Sequence, residues 1–457
     1  MRCQTIPAIN WATLAGKSEI VFGKWEKQGV VIKNDQSWEK DRNLSIFPST
    51  ILDCGSVRRF YYSLNSCKDD GYTLALAEQD KKTGEIKKSP LVSNGKGYFS
   101  LSGISEELMP IQANVFQLEQ NYWRMYFWAH FHGSPRTVKM MVAHSEDGLQ
   151  WQIANAGEPI LRHPSDAECA AARWPYHLRC NDATAIYQNS DNSWEIFSAA
   201  LVTLDPRNKR FSDKGTWCGF IRIIQRWTSP DGLNWSEPEI VAAPDADDPA
   251  DLQFYYLLKT QLDWGSLGLL GRFYVQTQRL TIEPVSSTDN RFWRRPLRKN
   301  CLPQDEAFES VSVIPAHTLL QEGNYLRLYY NGSNFDHNFK TPDGARPQQV
   351  IASATIHRNR TWGLNLRDDV ILSPRLRLTQ NELILHADIE SLQIQWVDIF
   401  TAESLTDMQA ITNSAATISI AVPEKIRGNA ARLKITGKGV IYDLCQMSKN
   451  CSGNCAI

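Results

Sequence analysis

Three segments of this chain spell one phrase: HSEDGLQW at 144–151, TSPDGLNW at 228–235 and SSTDNRFW at 286–293. Each has Ser, Asp two residues later, then Gly or Asn, and a Trp three residues beyond that. Asn is the natural substitute for Gly where the backbone must turn left-handed. The phrase therefore marks a tight turn, and a turn that recurs implies a recurring structural unit. Such a repeat constrains the fold more than any local propensity does.

The flanking sequence supplies the rest of the unit. An apolar strand precedes each turn, in KMMVAHS, FIRIIQRWTS and RLTIEPVSS. GYTLALAEQDKKTG, and QVIASATI ahead of a worn copy HRNRTW ending at Trp362, raise the set to five. Upstream of each lies an aromatic strand: RRFYYSL, YWRMYFWAHF, SWEIFSAAL, GSLGLLGRFYV and YLRLYYNGS. Before those come the extended runs SIFPSTILD, IQANVFQLEQ, NDATAIYQNS, DLQFYYLLKTQLD and SVSVIPAHTLLQ. Five four-stranded units, four of them with a Trp after the turn to open the fourth strand, predict an all-β chain with a five-bladed β-propeller over residues 1–366. The runs ELILHADI, LQIQWVDIF, ATISIAV, ARLKITG and VIYDL predict a small β-sandwich over 367–447, and 448–457 reads as a disordered tail. Trp396 fits the sandwich core better than a sugar-binding surface.

Composition excludes several functions. Lys plus Arg number 49 against 50 for Asp plus Glu, so there is no basic field for nucleic acid. No apolar run reaches membrane-span length. No charged segment followed by an apolar core opens the chain, which predicts a cytoplasmic protein if the N-terminus is native. The ten cysteines are scattered and read as free thiols, and Cys451 and Cys455 lack a second Cys or His pair to complete a zinc site. No cofactor and no protein-ligated metal is expected. A structural cation held in a propeller channel by carbonyls and a carboxylate would leave no trace in the sequence.

Five blades, aromatic second strands, SxDGxxW turns and a trailing sandwich resemble the glycoside hydrolase clan of arabinanases, xylosidases, invertases and levansucrases. The related mannoside phosphorylases share that propeller. The resemblance implies a carbohydrate substrate and a site at the propeller mouth. There the first strand of each blade begins and the loop after the second strand returns. The Asp-Gly turns then lie on the far side, as scaffold.

With the blades so placed, the mouth gathers carboxylates, histidines and arginines. Glu309, in DEAFESVSVIPA, is the expected general acid, with Asp251 or Asp182 as its partner carboxylate. Arg179, His337, His132, Arg136, Arg207 and Tyr255 are the expected substrate-binding groups. An arginine holds a neighbouring carboxylate ionised or binds a sugar hydroxyl. The bland alternatives are loop capping for the acids and loop packing for the histidines.

One departure matters. The clan opens blade one with an Asp-Pro-type motif, whereas this chain reads NLSIFPSTILD with Phe47 before Pro48. Three readings follow: a glycosidase whose acids sit on blades three to five, a phosphorylase using Arg136, Arg179 and Arg207 for phosphate, or a glycan-binding propeller without catalysis.

Overall fold

The computed structural model describes residues 4–66, 71–105, 107–131, 138–162, 176–178, 183–203, 210–212, 219–338, 340–341, 344, 346–411 and 416–446. Among these the only helices are single 3-10 turns, and the rest of the regular structure is strand. The expected tail and Cys451 and Cys455 lie outside the described residues.

Each of the five aromatic strands is the second strand of an antiparallel blade. Blade one pairs Arg42–Ser45, Val57–Ser66, Tyr72–Asp80 and Ile86–Ser93 in that order. Blade two pairs Leu108–Glu119, Tyr122–Phe131, Val138–Ser145 and Gln150–Ile153. Blade three runs Thr184–Gln188, Trp194–Thr203, Phe220–Ser229 and Glu239–Ala242. Blade four has Leu252–Leu262, Gly265–Tyr274 and Arg279–Ser287, with its fourth strand reduced to a bridge between Ser286 and Arg294. Blade five has Ser312–Pro315, Tyr325–Ser333 and Gln349–His357.

The outer strand of blade five comes from the other end of the chain. Glu26–Ile32 pairs antiparallel with Gln349–His357 and closes the ring. Trp362, expected to open that strand, instead begins Trp362–Leu372, which belongs to the C-terminal sheet. That sheet also recruits Gln4–Pro7, Ala12–Ala15 and Glu19–Phe22. The expected boundary at 366 is therefore corrected at both ends: among the described residues, blade strands come from about 26 to 357. A strand that finds its partner more than 300 residues away leaves no local pattern to read. Among the described residues the C-terminal sheet has nine strands, and it curls over a core containing Trp11, Leu364, Leu433 and Trp396. Trp396 is buried there, its indole N–H donating to the carbonyl of Ala421 at 3.2 Å.

Side-chain and backbone hydrogen bonds join all five blades around the axis. The Thr50 amide reaches the Ala113 carbonyl, and the Ile186 amide reaches Asn114 Oδ1, both at 3.0 Å. The Arg222 amide donates to Gln253 Oε1 at 3.0 Å, Leu280 to Ser312 Oγ at 3.2 Å, and Ile46 to Asn331 Oδ1 at 2.8 Å. His317 adds a central tie. Its imidazole N–H donates to the Ile186 carbonyl, its amide donates to Ser49, and its own carbonyl accepts the Tyr187 hydroxyl at 2.8 Å.

The repeated phrase does the work its sequence implies. Asp147 Oδ1 accepts the amides of Leu149 and Gln150 at 2.7 and 2.9 Å, and Ser145 Oγ accepts that of Gly148 at 2.9 Å. Asp231 takes Leu233 and Asn234 at 2.8 Å each, and Asp289 takes Arg291 and Phe292 at 2.9 Å each. The Asn234 and Leu233 amides hold the Asp231 carboxyl well below the usual carboxylate range. Gly148, Gly232 and Asn290 all have positive φ, at 75°, 77° and 60°. Each of the first two turns also clasps the preceding blade. The Gly148 carbonyl accepts from the Tyr61 hydroxyl at 2.8 Å, and that of Gly232 from Tyr126 at 3.1 Å.

The scaffold can be tested at a turn and at the central tie. A Cβ on Gly232 would lie 2.3 Å from the Tyr126 hydroxyl oxygen and 2.9 Å from Arg124 Nη1, in a backbone conformation that already disfavours a side chain. Gly232→Ala should cost about 2 kcal/mol or more in denaturant unfolding, and Asn290→Gly, which keeps the left-handed turn but removes the side-chain bonds to Glu195 and Ser266, should cost about 1 kcal/mol or more. Burial pushes the His317 imidazole down to about 4 from 6.5. The unfolded chain then takes up a proton below 6.5 that the folded protein refuses until near 4. Stability contributed by neutral His317 is complete above 6.5 and is lost as pH falls to 4, a change of roughly 3 kcal/mol. His317→Gln should flatten that part of the acid-stability curve, and an unchanged slope would remove the assignment.

Candidate functional site

Glu309, the expected general acid, is not in the mouth chemistry. It ends the 3-10 turn Ala307–Glu309 and is fully buried. One carboxylate oxygen pairs with Lys27 of the closing strand and accepts the Glu306 amide at 3.3 Å, and the other accepts the Tyr330 hydroxyl at 2.7 Å. Blade one repeats the device. Glu39 ends the turn Ser37–Glu39, accepts the Tyr62 hydroxyl at 2.7 Å and the Gln36 amide at 3.1 Å, and pairs with Lys88 at 2.9 Å. Blade four has a variant in which buried Asp248 meets Arg295 through two bonds of 2.7 Å. In each case an acid ahead of a first strand is strapped to a base at the outer edge of the same blade. The proton-donor role is therefore withdrawn from Glu309, because both of its oxygens serve the strap. The matching stretches DQSWE and DEAFE carried the signal for this duplication.

Arg179, Asp182, His132, Arg136 and Arg207 lie outside the described residues. The remaining three expected residues come from blades four and five. Asp251 precedes the first strand of blade four, half-exposed, with its carbonyl accepting the Val275 amide at 2.9 Å. Tyr255 is the fourth residue of that strand. Its hydroxyl lies 2.7 Å from Nε2 of His337, which sits in the loop after the second strand of blade five. Structure thus brings Tyr255 and His337 together across a blade junction, 82 residues apart in sequence.

The surroundings fix that pair. The Gln278 carbonyl accepts the His337 amide at 2.9 Å, and Gln278 Oε1 accepts from Asn338 at 3.1 Å. Phe273 sits against both rings, at centroid distances of 5.6 Å from Tyr255 and 5.3 Å from His337. The Arg222 guanidinium lies 5.3 Å from the Tyr255 ring centre and 4.9 Å from that of Phe273, and donates to Gln253 Oε1 at 3.3 Å. Phe47 approaches from blade one. It is buried, 4.9 Å from the Tyr256 ring and 6.5 Å from that of Tyr255. The position where a blade-one carboxylate was expected is thus an aromatic wedge against blade four.

Arg222, Phe273 and Gln278 were not anticipated. Arg222 had a visible signal, a charge set among isoleucines in FIRIIQRW. Gln278 had none, since its positive φ of 55° belongs to an ordinary-looking turn. Other polar residues near the mouth are structural. His130 is buried with its ring 4.7 Å from Tyr72, Asp245 pairs with Arg298 at 2.6 Å, and Asp336 accepts the amides of Asn338 and Lys340. No group of three or more His, Cys, Asp or Glu among the described residues is arranged to hold a metal ion.

Comparison with solved structures bears on the fold. One described as a glycoside hydrolase superposes with a TM-score of 0.52 at 13% identity, covering 73% of this chain and 92% of that one. Another, described as an RGII complex, gives 0.52 at 12% identity with the same coverage. No known family profile matches the sequence. No curated protein matches it either. At this identity the likeness speaks for the fold, a propeller shared with glycoside hydrolases.

The strap assignment is checked by stability. Glu309→Gln leaves Lys27 without its buried partner and should cost about 3 kcal/mol. Glu39→Gln should cost a similar amount, both read from denaturant midpoints. A Glu309→Gln protein as stable as the wild type would restore Glu309 as a candidate acid.

Proposed function

We propose that this chain is a carbohydrate-active enzyme that cleaves a glycosidic bond of an oligo- or polysaccharide held at the propeller mouth. The observation that carries this reading is the meeting of Tyr255 and His337 on the same strand-and-loop frame as Asp251. Aromatic faces stack on sugar rings, a phenol–imidazole pair hydrogen-bonds hydroxyls, and a half-exposed carboxylate activates water or moves a proton. The glycoside hydrolase among the structural neighbours supports the same substrate class by analogy of fold.

A second reading, a glycan-binding propeller without turnover, is favoured by one feature. Phe47 occupies the blade-one position at which the resemblance calls for a carboxylate, so the usual paired acids are not assembled from that blade.

Product release from a panel of oligosaccharides and aryl glycosides, with and without phosphate, separates these readings. The wild type should release sugar, and Asp251→Asn should lower kcat by at least about a hundredfold while glycan binding persists. Dependence on added phosphate would make the reaction phosphorolysis. Binding of a glycan with no product from any substrate would establish the second reading.

A further inference from the structure

The described carboxylates ahead of the blades are nearly all committed. Glu39, Glu309 and Asp248 are strapped to Lys88, Lys27 and Arg295, Asp245 pairs with Arg298, and Asp336 caps its own loop. Among the described residues Asp251 remains, and one carboxylate cannot both accept a proton from water and deliver one to the leaving oxygen in a single displacement. Among the described residues a second proton carrier is then another kind of group.

Tyr255 and His337 have the required arrangement. Oη and Nε2 lie 2.7 Å apart, within proton-transfer distance, and both side chains are half-buried rather than sealed in the core. The phenol is held on three sides. Phe273 packs edge-on at 5.6 Å, the Phe47 ring lies 6.5 Å away, and the guanidinium of Arg222 sits 5.3 Å from the ring centre. A fixed cation beside the ring favours negative charge growing on the phenol oxygen as its proton leaves. Gln278, through its carbonyl and side chain, fixes the backbone of His337 and the side chain of Asn338, which orients the imidazole.

We propose that Tyr255 and His337 are the proton-delivery pair of this site, taking the place of the second carboxylic acid. This rests on the reading of the chain as a glycosidic-bond-cleaving enzyme. The bond between the anomeric carbon and the bridging oxygen breaks, and that oxygen takes the proton of Tyr255 Oη. The oxygen of water bonds to the anomeric carbon and gives its proton to Asp251. Protonated His337 returns a proton to Tyr255 from Nε2, and the site resets when Asp251 loses a proton to solvent and His337 regains one. Asp251 stands one residue ahead of the strand that carries Tyr255, four residues away and at most about 13 Å between Cα atoms, a span that side chains from both positions can bridge around a sugar.

Leaving-group dependence tests the pair, because a structural role would not respond to it. Tyr255→Phe keeps the ring and its packing, and His337→Gln keeps an amide donor. Each is assayed on an unactivated oligosaccharide that the wild type cleaves and on the 2,4-dinitrophenyl glycoside of the same sugar, whose leaving oxygen needs no proton. We expect kcat on the oligosaccharide to fall by about 10²- to 10⁴-fold in Tyr255→Phe, and kcat on the dinitrophenyl glycoside by less than about tenfold. His337→Gln should show the same contrast to a smaller degree. Equal losses on both substrates, or none on either, would overturn the pair while leaving the enzyme reading intact. A wild type that binds glycans and cleaves none of the panel overturns both, so the two failures are distinguishable.

Discussion

The ring stands on one local arrangement, an aspartate carboxylate gathering the amides of the turn that follows it. At Asp147, Asp231 and Asp289 a single oxygen satisfies two N–H groups that would otherwise be unpaired. The geometry forces a left-handed residue next in sequence, and the turned backbone then presents carbonyls to the neighbouring blade. Tyr61 and Tyr126 donate to those carbonyls, as do Arg59 and Arg124. The local turn and the blade-to-blade contact are therefore one structure, which is why the phrase can drift at other positions yet keep Ser, Asp, a left-handed residue and the closing Trp.

The third turn shows how much freedom that leaves. Glu195 stands on blade three at the strand position held by Arg59 and Arg124 on the first two blades. It receives Asn290 Nδ2 at 3.0 Å, and Arg226 and Lys259 complete its partners. The clasp has changed sign, from an arginine reaching a carbonyl to a glutamate accepting an amide. Burial of the Lys259 ammonium pulls its proton affinity down, and the adjacent Glu195 carboxylate opposes that pull. A buried charge of this kind is tolerated only because every member has a partner.

Local signals made the blades legible, and only local signals. The turns, the aromatic strands and the inward Trp396 could be read because period and turn chemistry act over a few residues. The closing strand Glu26–Ile32 could not, because its partner Gln349–His357 lies at the opposite end of the sequence. Glu309 was misplaced for the same reason. A lone acid before an apolar strand looks like a mouth carboxylate, until Lys27 arrives with that distant strand to neutralise it. Tyr255 and His337 were each visible as mouth residues, but their contact depends on how blade five meets blade four.

Phe47 links these points to chemistry. An aromatic ring at the start of blade one offers no proton, so on the proposed reading the acid–base work falls to other blades, and among the described residues to blades four and five. Among the described residues those two blades bring together groups able to do it. Asp251, Tyr255 and His337 are polar and half-buried, and the fixed charge of Arg222 and the faces of Phe273 and Phe47 surround them. In so apolar a setting a single cation shapes proton affinities more strongly than it would in water. Losing one carboxylate from the ring need not end catalysis, then, provided that the replacement donor sits beside a charge that stabilises it after its proton has gone.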